Sequence, residues 1–362
     1  MARVRVPGGQ LTAAAFEAIA AGAAELGDGT IELTSRANLQ VRGLVDGVAL
    51  STRLASAGLL PSATHERVRN ILASPLTGRD GAGFADVRPL VAALDRALCA
   101  TPALAGLPGR FLFTVDDGRG DVAWLGADVA AILTSENTAA VLLGGTDVGL
   151  RAPAGDAVAL MLRCAETFLT LRANEWRLAE LPDGPARIAT RLDRPERRVR
   201  DVERPERRFQ DVERPESAFQ GIGPVAQVGG GVGLVSGAPL GWLDRRQAAA
   251  LAATGAPLVV TPWRSLVVAD LPAERAGDVA ERLRATGLLL DPGDPLARVT
   301  ACTGRPGCAT ALADVRADAA PVPGTRLPVH WSGCARRCGR PRGTVVDVVA
   351  TADGYTTTVG DR

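Results

Sequence analysis

Apolar positions fall in short bursts along this chain, and one burst recurs. Ile31-Glu-Leu-Thr-Ser-Arg-Ala-Asn-Leu-Gln-Val-Arg-Gly-Leu44 aligns with Leu258-Val-Val-Thr-Pro-Trp-Arg-Ser-Leu-Val-Val-Ala-Asp-Leu271. Leu33 falls on Val260, Thr34 on Thr261, Leu39 on Leu266 and Val41 on Val268. Each copy reads as two strands about a tight turn. An alanine-rich helical stretch precedes each, Thr12–Leu26 and Asp244–Ala253. Thr12 and Asp244 are N-caps by type, and Gly27 and Gly255 are stops. Downstream, Leu54-Ala-Ser-Ala-Gly-Leu-Leu60 matches Leu283-Arg-Ala-Thr-Gly-Leu-Leu289, each the end of a second helix with glycine at the exit. With a strand before the first helix and one after the second, each copy predicts a small ferredoxin-like α+β unit.

The repeat extends to Arg67-Val-Arg-Asn-Ile-Leu72, which falls on Arg298-Val-Thr-Ala-Cys-Thr303 and sets Ile71 opposite Cys302. A shorter repeat separates the copies. Leu192-Asp-Arg-Pro-Glu-Arg-Arg-Val-Arg200 is followed by two further decads, beginning at Asp201 and Asp211. Each is charged and carries a proline, too little apolar surface to build a core, so residues 191–220 read as a solvated linker.

Composition narrows the class. A hydrophobic share of 46% over 362 residues supports real cores, with room for two to three domains. A net charge of +1 gives no overall field to recruit nucleic acid or membrane. No apolar run approaches the ~20 residues of a membrane span. The Arg-Val-Arg-Val stretch after Met1-Ala has no apolar core of a secretory signal, so a cytoplasmic protein is expected. All 41 basic residues are arginine, the better fork for carboxylates. Gly229-Gly-Gly-Val-Gly233 precedes a strand instead of opening a helix, a weak match to a dinucleotide loop.

Four of the six cysteines form the pattern C-x5-C, then C-x3-C: Cys302, Cys308, Cys334 and Cys338. In the cytosol, disulfides are disfavoured and paired thiols bind metal or do redox work. Structural zinc pairs space their cysteines C-x2-4-C, narrower than Cys302–Cys308. The spacing favours a 4Fe-4S cluster, with a non-catalytic four-cysteine zinc site as the rival. Gly304, Pro306, Gly307, Gly333 and Gly339 let backbone approach such a cluster. Cys99 and Cys164, alone in apolar helical text, read as buried structural thiols.

With these residues in view, the chain resembles the nitrite/sulfite reductase superfamily. The likeness rests on the four-cysteine signature, the duplicated half and the opening Arg3-Val-Arg-Val-Pro-Gly-Gly9. It extends to Thr34-Ser-Arg-Ala-Asn-Leu-Gln40, Arg67-Val-Arg-Asn-Ile-Leu72 and Leu107-Pro-Gly-Arg-Phe111. It implies an α+β fold of duplicated reductase-like halves with pseudo-two-fold symmetry, each a ferredoxin-like unit plus a cluster- or tetrapyrrole-binding α/β unit. The implied domains are 1–62 (ferredoxin-like), 63–190 (α/β, without cluster cysteines), 191–220 (linker), 221–292 (ferredoxin-like) and 293–362 (cluster-binding). It implies that Arg3, Arg36, Arg69 and Arg110, with Gln40 and Asn70, hold tetrapyrrole carboxylates.

Two branches are open. Sirohaem-dependent reductases reduce sulfite or nitrite. The other branch hydroxylates precorrin-3A at C20 with dioxygen and closes a lactone, in aerobic cobalamin synthesis. It uses a 4Fe-4S cluster and a mononuclear non-haem iron. Leu112 stands where the reductases place a second pocket lysine, and His330-Trp-Ser-Gly-Cys334 has histidine where they tend to have arginine. These departures and the short chain favour the hydroxylating branch. Arg337 replaces the glycine usual before the last cysteine. His65 and His330 are candidate ligands of the second iron, and no catalytic residue is assigned. Electrons from NADH are expected through a partner donor protein.

Overall fold

The computed structural model describes residues 1–192, 221–341 and 343–360. The decads from residue 193 to 220 therefore lie outside the described residues. The first repeat runs β1 (Ala2–Val4), β2 (Gln10–Leu11), α1 (Ala13–Leu26), β3 (Ile31–Leu33), β4 (Leu39–Val41) and α2 (Gly47–Ser56). An α/β unit follows: β5 (Ile71–Ala73), α3 (Arg88–Ala100), β6 (Phe113–Asp116), β7 (Val129–Ser135), β8 (Thr138–Leu143), β9 (Thr146–Pro153), α4 (Ala157–Leu171) and α5 (Gly184–Leu192). The second repeat comprises β10 (Gly223–Ala226), β11 (Val232–Gly237), β12 (Trp242–Leu243), α6 (Arg245–Ala252), β13 (Leu258–Val260), β14 (Ser265–Leu271) and α7 (Ala273–Ala285). The last unit holds β15 (Val299–Ala301), α8 (Val315–Asp318), β16 (Val329–Ser332), β17 (Val345–Thr351) and β18 (Gly354–Gly360).

Local chemistry sets these boundaries. The Thr12 hydroxyl accepts from Ala15 N–H, and Asp244 forms a capping box with Gln247. The turn of the repeat is built identically twice. Thr34 N–H donates to Asn38 C=O and Ala37 N–H to Thr34 C=O; Thr261 N–H donates to Ser265 C=O and Arg264 N–H to Thr261 C=O. Ala37 and Arg264 both take left-handed backbone, φ +51° and +61°. The glycine-rich stretch 229–233 forms the turn of the β10–β11 hairpin and the first two residues of β11, not a phosphate loop.

The two ferredoxin-like halves are not separate bodies. One sheet has the order β1-β4-β3-β12 and the other β10-β11-β14-β13-β2. Each half thus donates one short strand to the other's sheet: Trp242 pairs with Glu32, and Leu11 with Leu258. The equivalent helices α1 and α6 pack against each other. One apolar core runs through both halves, from Phe16, Ile19 and Leu39 to Leu251, Leu266 and Leu283. Full burial of a side chain such as Phe16 or Ile19 contributes about 1.5–3 kcal/mol relative to exposure.

The outer units are duplicated too. In one, β5, β6 and β7 are parallel and β8 returns antiparallel; in the other, β15, β16, β17 and β18 do the same. Their registers correct the alignment of Ile71 with Cys302. Ile71 pairs with Phe113 as Val299 pairs with Val329. Ser74 N–H donates to Val115 C=O as Cys302 N–H donates to Trp331 C=O. Ser74, three residues further on, is therefore the counterpart of Cys302.

Candidate functional site

The thiols lie on two loops at the carboxyl ends of parallel strands. Cys302 directly follows β15, and Cys334 and Cys338 follow β16. Parallel strands open such a crevice at their carboxyl ends. Gly333 N–H donates to Cys302 Sγ at 3.1 Å, and the Thr310 hydroxyl lies 3.2 Å from Cys308 Sγ. That hydroxyl holds the Cys308 thiol below its ordinary value. The Cys338 thiol is pushed up, first by burial and then by Cys302, Cys334 and Cys308. The three other cysteines thus disfavour the Cys338 thiolate, which a bound cation would favour.

A Cβ on Gly333 would stand 2.7 Å from the Ala311 Cβ, so the backbone comes close here only with glycine. Arg337 keeps left-handed backbone at φ +47°, a conformation that glycine adopts freely, at a cost of about 1–2 kcal/mol. Among the described residues, no three His, Cys, Asp or Glu side chains close tightly enough for a single metal ion. A tetrahedral zinc draws its sulfurs to about 2.3 Å from one centre. An iron–sulfur cube, with one thiolate per corner, leaves them wider apart. The donor set and the glycine at 333 fit the cube.

The two histidines offer no ligand atom. His330 is fully buried on β16; Nε2 faces Cys338 C=O at 3.1 Å and Nδ1 faces the Thr300 hydroxyl at 2.9 Å. A carbonyl only accepts, so Nε2 carries the proton and Nδ1 accepts from Thr300. Burial, then the nearby Arg264 charge, lowers its pKa to about 3, which keeps the ring neutral. His65 has Nδ1 against Ser62 and Thr64 and Nε2 against Thr101 C=O. The two rings share no partner, so the expected pairing of His65 and His330 on a second iron does not match the structure.

The predicted carboxylate-binding residues separate into two kinds. Arg69 is spoken for: it grips both oxygens of Asp95 at 2.7 and 2.8 Å, and also Glu66 and Leu59 C=O. Asn70 is fully buried and accepts from Arg5, while its amide donates to Arg67, Gly109 and Phe111 carbonyls. Both are framework, which corrects their assignment as substrate contacts. Arg3, exposed, donates to Gln40 at 3.0 Å. Arg36 is half-buried and its guanidinium has no hydrogen bond among the described residues; Arg110 is exposed and also lacks one. Burial, then Arg177, Arg110 and Arg3, lowers Arg36 to about 10, against a partial counter-effect of Asp128.

Sequence reasoning missed Arg5, Arg177 and Asp128. Arg5 is buried, held by Asn70, Glu66 C=O and Arg67 C=O, and lowered to about 10 by burial and then by Arg3 and Arg36. Asp128 takes Arg177 through both oxygens, and the Leu112 and Leu178 N–H groups. Leu112 itself is buried in the core. The alternation Arg3-Val-Arg5 was the available signal for Arg5. Nothing local points to Asp128.

The strand exchange joins the two sets. Leu33 N–H, just before the Arg36 turn, donates to Gly241 C=O, and neighbouring Leu240 bridges Thr300, two residues before Cys302. At the place equivalent to Cys302, Ser74 donates instead to Asp121 at 2.6 Å. Asp116 beside it accepts four backbone N–H groups from the 118–123 loop. A carboxylate-braced loop fills this half.

Fold and site define a protein of the nitrite/sulfite reductase type. Residues 1–49 match the nitrite/sulfite reductase ferredoxin-like half domain. The structure of the Mycobacterium tuberculosis NirA protein superposes with a TM-score of 0.77 at 21% identity, covering 99% of this chain and 73% of that one. A ferredoxin–nitrite reductase of Synechococcus elongatus is 36% identical over 127 residues, 33% of this chain and 25% of that protein. A precorrin-3B synthase of Sinorhizobium sp. is 30% identical over 379 aligned positions, 98% of this chain and 78% of that protein. The chain belongs to the precorrin-3B synthase family, whose members are oxidoreductase-type enzymes. Among the described residues, no helix is long and apolar enough to cross a membrane.

Proposed function

We propose that the chain is a precorrin-3B synthase-type monooxygenase acting in the cytoplasm. It inserts one atom of dioxygen at C20 of precorrin-3A, and a ring acetate closes a lactone. The other oxygen atom leaves as water, with two electrons and two protons drawn from an NADH-linked donor protein. The observation that carries this reading is the cationic set Arg3, Arg5, Arg36 and Arg110, in which burial and neighbouring arginines lower Arg5 and Arg36 and no member has a carboxylate hydrogen-bond partner among the described residues. A macrocycle edged with acetates and propionates supplies those carboxylates.

Arg36 and Arg110 offer open forks, and Arg3 adds a third steadied by Gln40. Arg5 lies behind them, tied to backbone, and adds charge without reaching out. Asp128 fixes the Leu112 backbone beside Arg110 and holds Arg177. These contacts orient the ring so that one meso carbon is presented to the oxidant. Cys302, Cys308, Cys334 and Cys338 would hold a 4Fe-4S cluster, which supplies single electrons when bound.

The test is anaerobic incubation with precorrin-3A, then labelled dioxygen, with mass analysis of the product. One incorporated oxygen atom is expected. Stoichiometric iron tetrapyrrole in acid–acetone extracts of the purified protein overturns the reading in favour of a sirohaem reductase.

A further inference from the structure

Arg264 sits on the tight turn of the second repeat, between Leu258–Val260 and Ser265–Leu271. Its backbone holds a left-handed φ of +61°. From there its guanidinium reaches across to the cysteine loop, and Nη2 donates to Gly339 C=O at 2.6 Å. Two glycines make room for it. A Cβ on Gly241 would stand 2.7 Å from its Cδ, and one on Gly339 would stand 2.5 Å from Nη2. Burial lowers its pKa, and the two groups that counter this are Glu32 and Cys302.

The Cys338 segment is thus held from two sides. His330 Nε2–H donates to Cys338 C=O, and Arg264 to the next carbonyl, Gly339. His330 donates through Nε2 and takes the Thr300 hydroxyl at Nδ1, so it contributes position, and the charge at this clamp is that of Arg264. The duplication provides an internal control. In the first half, where Ser74 replaces the cluster cysteine, the residue at the position of Arg264 is Ala37, on the same turn with the same backbone sign. The arginine is present in the half that has the four clustered cysteines and absent from the half that lacks them.

We propose that Arg264 is a positioning residue that anchors the Cys338 loop and, through its half-buried positive charge, raises the reduction potential of the cluster. The inference rests on the reading that the four cysteines hold that cluster. Reduction adds negative charge to a site already ringed by thiolates. A nearby cation held in place and only partly open to solvent stabilises the reduced form.

The test compares wild type with Arg264→Met, Arg264→Gln and Arg264→Lys, purified anaerobically. Iron and acid-labile sulfide are counted first, then the midpoint potential is titrated with the reduced cluster followed by electron paramagnetic resonance. The expected result is a lower potential in Arg264→Met and Arg264→Gln and a potential near wild type in Arg264→Lys. If Arg264→Met does not retain iron, Arg264→Gln, which keeps a donor for Gly339, decides. A full cluster with unchanged potential in the uncharged variant overturns the proposal. So does an equal drop in Arg264→Lys. Wild-type protein without iron and sulfide overturns the cluster reading instead, so the two failures are distinct.

Discussion

Replacing Arg36 and Arg69 by methionine separates a substrate contact from a framework arginine. Arg69 has a side chain 4% exposed, two bonds to Asp95, and one each to Glu66 and Leu59 C=O. Arg69→Met strands two partly buried carboxylates, and breaking a buried pair from one side costs about 3–5 kcal/mol. Arg36 has the opposite balance. Its pKa falls from the ordinary arginine value to about 10 because burial and three neighbouring arginines oppose its charge. At 1.36 kcal/mol per unit, that is an upper bound of about 3 kcal/mol against the charged form. Arg36→Met removes the penalty, so the fold is expected to gain stability. Binding moves the other way. One lost charge-assisted hydrogen bond to a ring carboxylate is worth about 1.5–3 kcal/mol, roughly a 10- to 150-fold weaker Kd. Urea unfolding gives the first quantity, and fluorescence titration with uroporphyrin, a stable carboxylate-edged probe, gives the second. An Arg36→Met protein that unfolds earlier yet binds the probe like wild type refutes the reasoning.

Three further outcomes are expected. Asp121 is raised to about 7, by burial and then by Asp116, while the unfolded chain releases this proton near 4. Its stabilising proton is therefore fully present below about pH 4, and stability falls by about 1.4 kcal/mol per pH unit up to about pH 7. Asp121→Asn should flatten that decline in urea midpoints between pH 5 and pH 8, and parallel curves would contradict it. Gly333→Ala drives a Cβ against Ala311 and displaces the N–H donor to Cys302, an overpacking cost of about 1–3 kcal/mol. Its iron and sulfide content should drop, and full occupancy with unchanged Tm speaks against the cradle. Cys308→Ala should lose the brown colour and the oxygen incorporation together.

The features legible in the sequence were those fixed within a few residues. Thr12, Asp244 and the Thr34 and Thr261 turns act on backbone close by, so their chemistry shows in the letters. The strand exchange does not show, because Trp242 and Glu32 choose each other only after both halves have packed. The arginines mark the same boundary. Arg36 and Arg69 look alike in text, and only Asp95, delivered by a helix 26 residues away, turns one into framework. Arg264 lay in plain sight in the repeat, yet its importance depends on Gly339 from a different unit. The misplacement of Cys302 opposite Ile71 came from matching Arg67-Val with Arg298-Val. Strand register, with Ser74 opposite, is a better ruler than two shared letters.

The swapped strands also set a schedule for synthesis. β3 emerges from the ribosome with an open edge, and its neighbour β12 lies about 200 residues further on, roughly 10–40 s at ordinary translation speed. During that interval the nascent half carries unpaired N–H and C=O groups beside exposed apolar surface. A gene split between the repeats should therefore yield two fragments that aggregate apart and recover only when made together. The arginine turn and the cysteine loop, which Gly241 and Leu240 join, are brought together only when the whole polypeptide has been made.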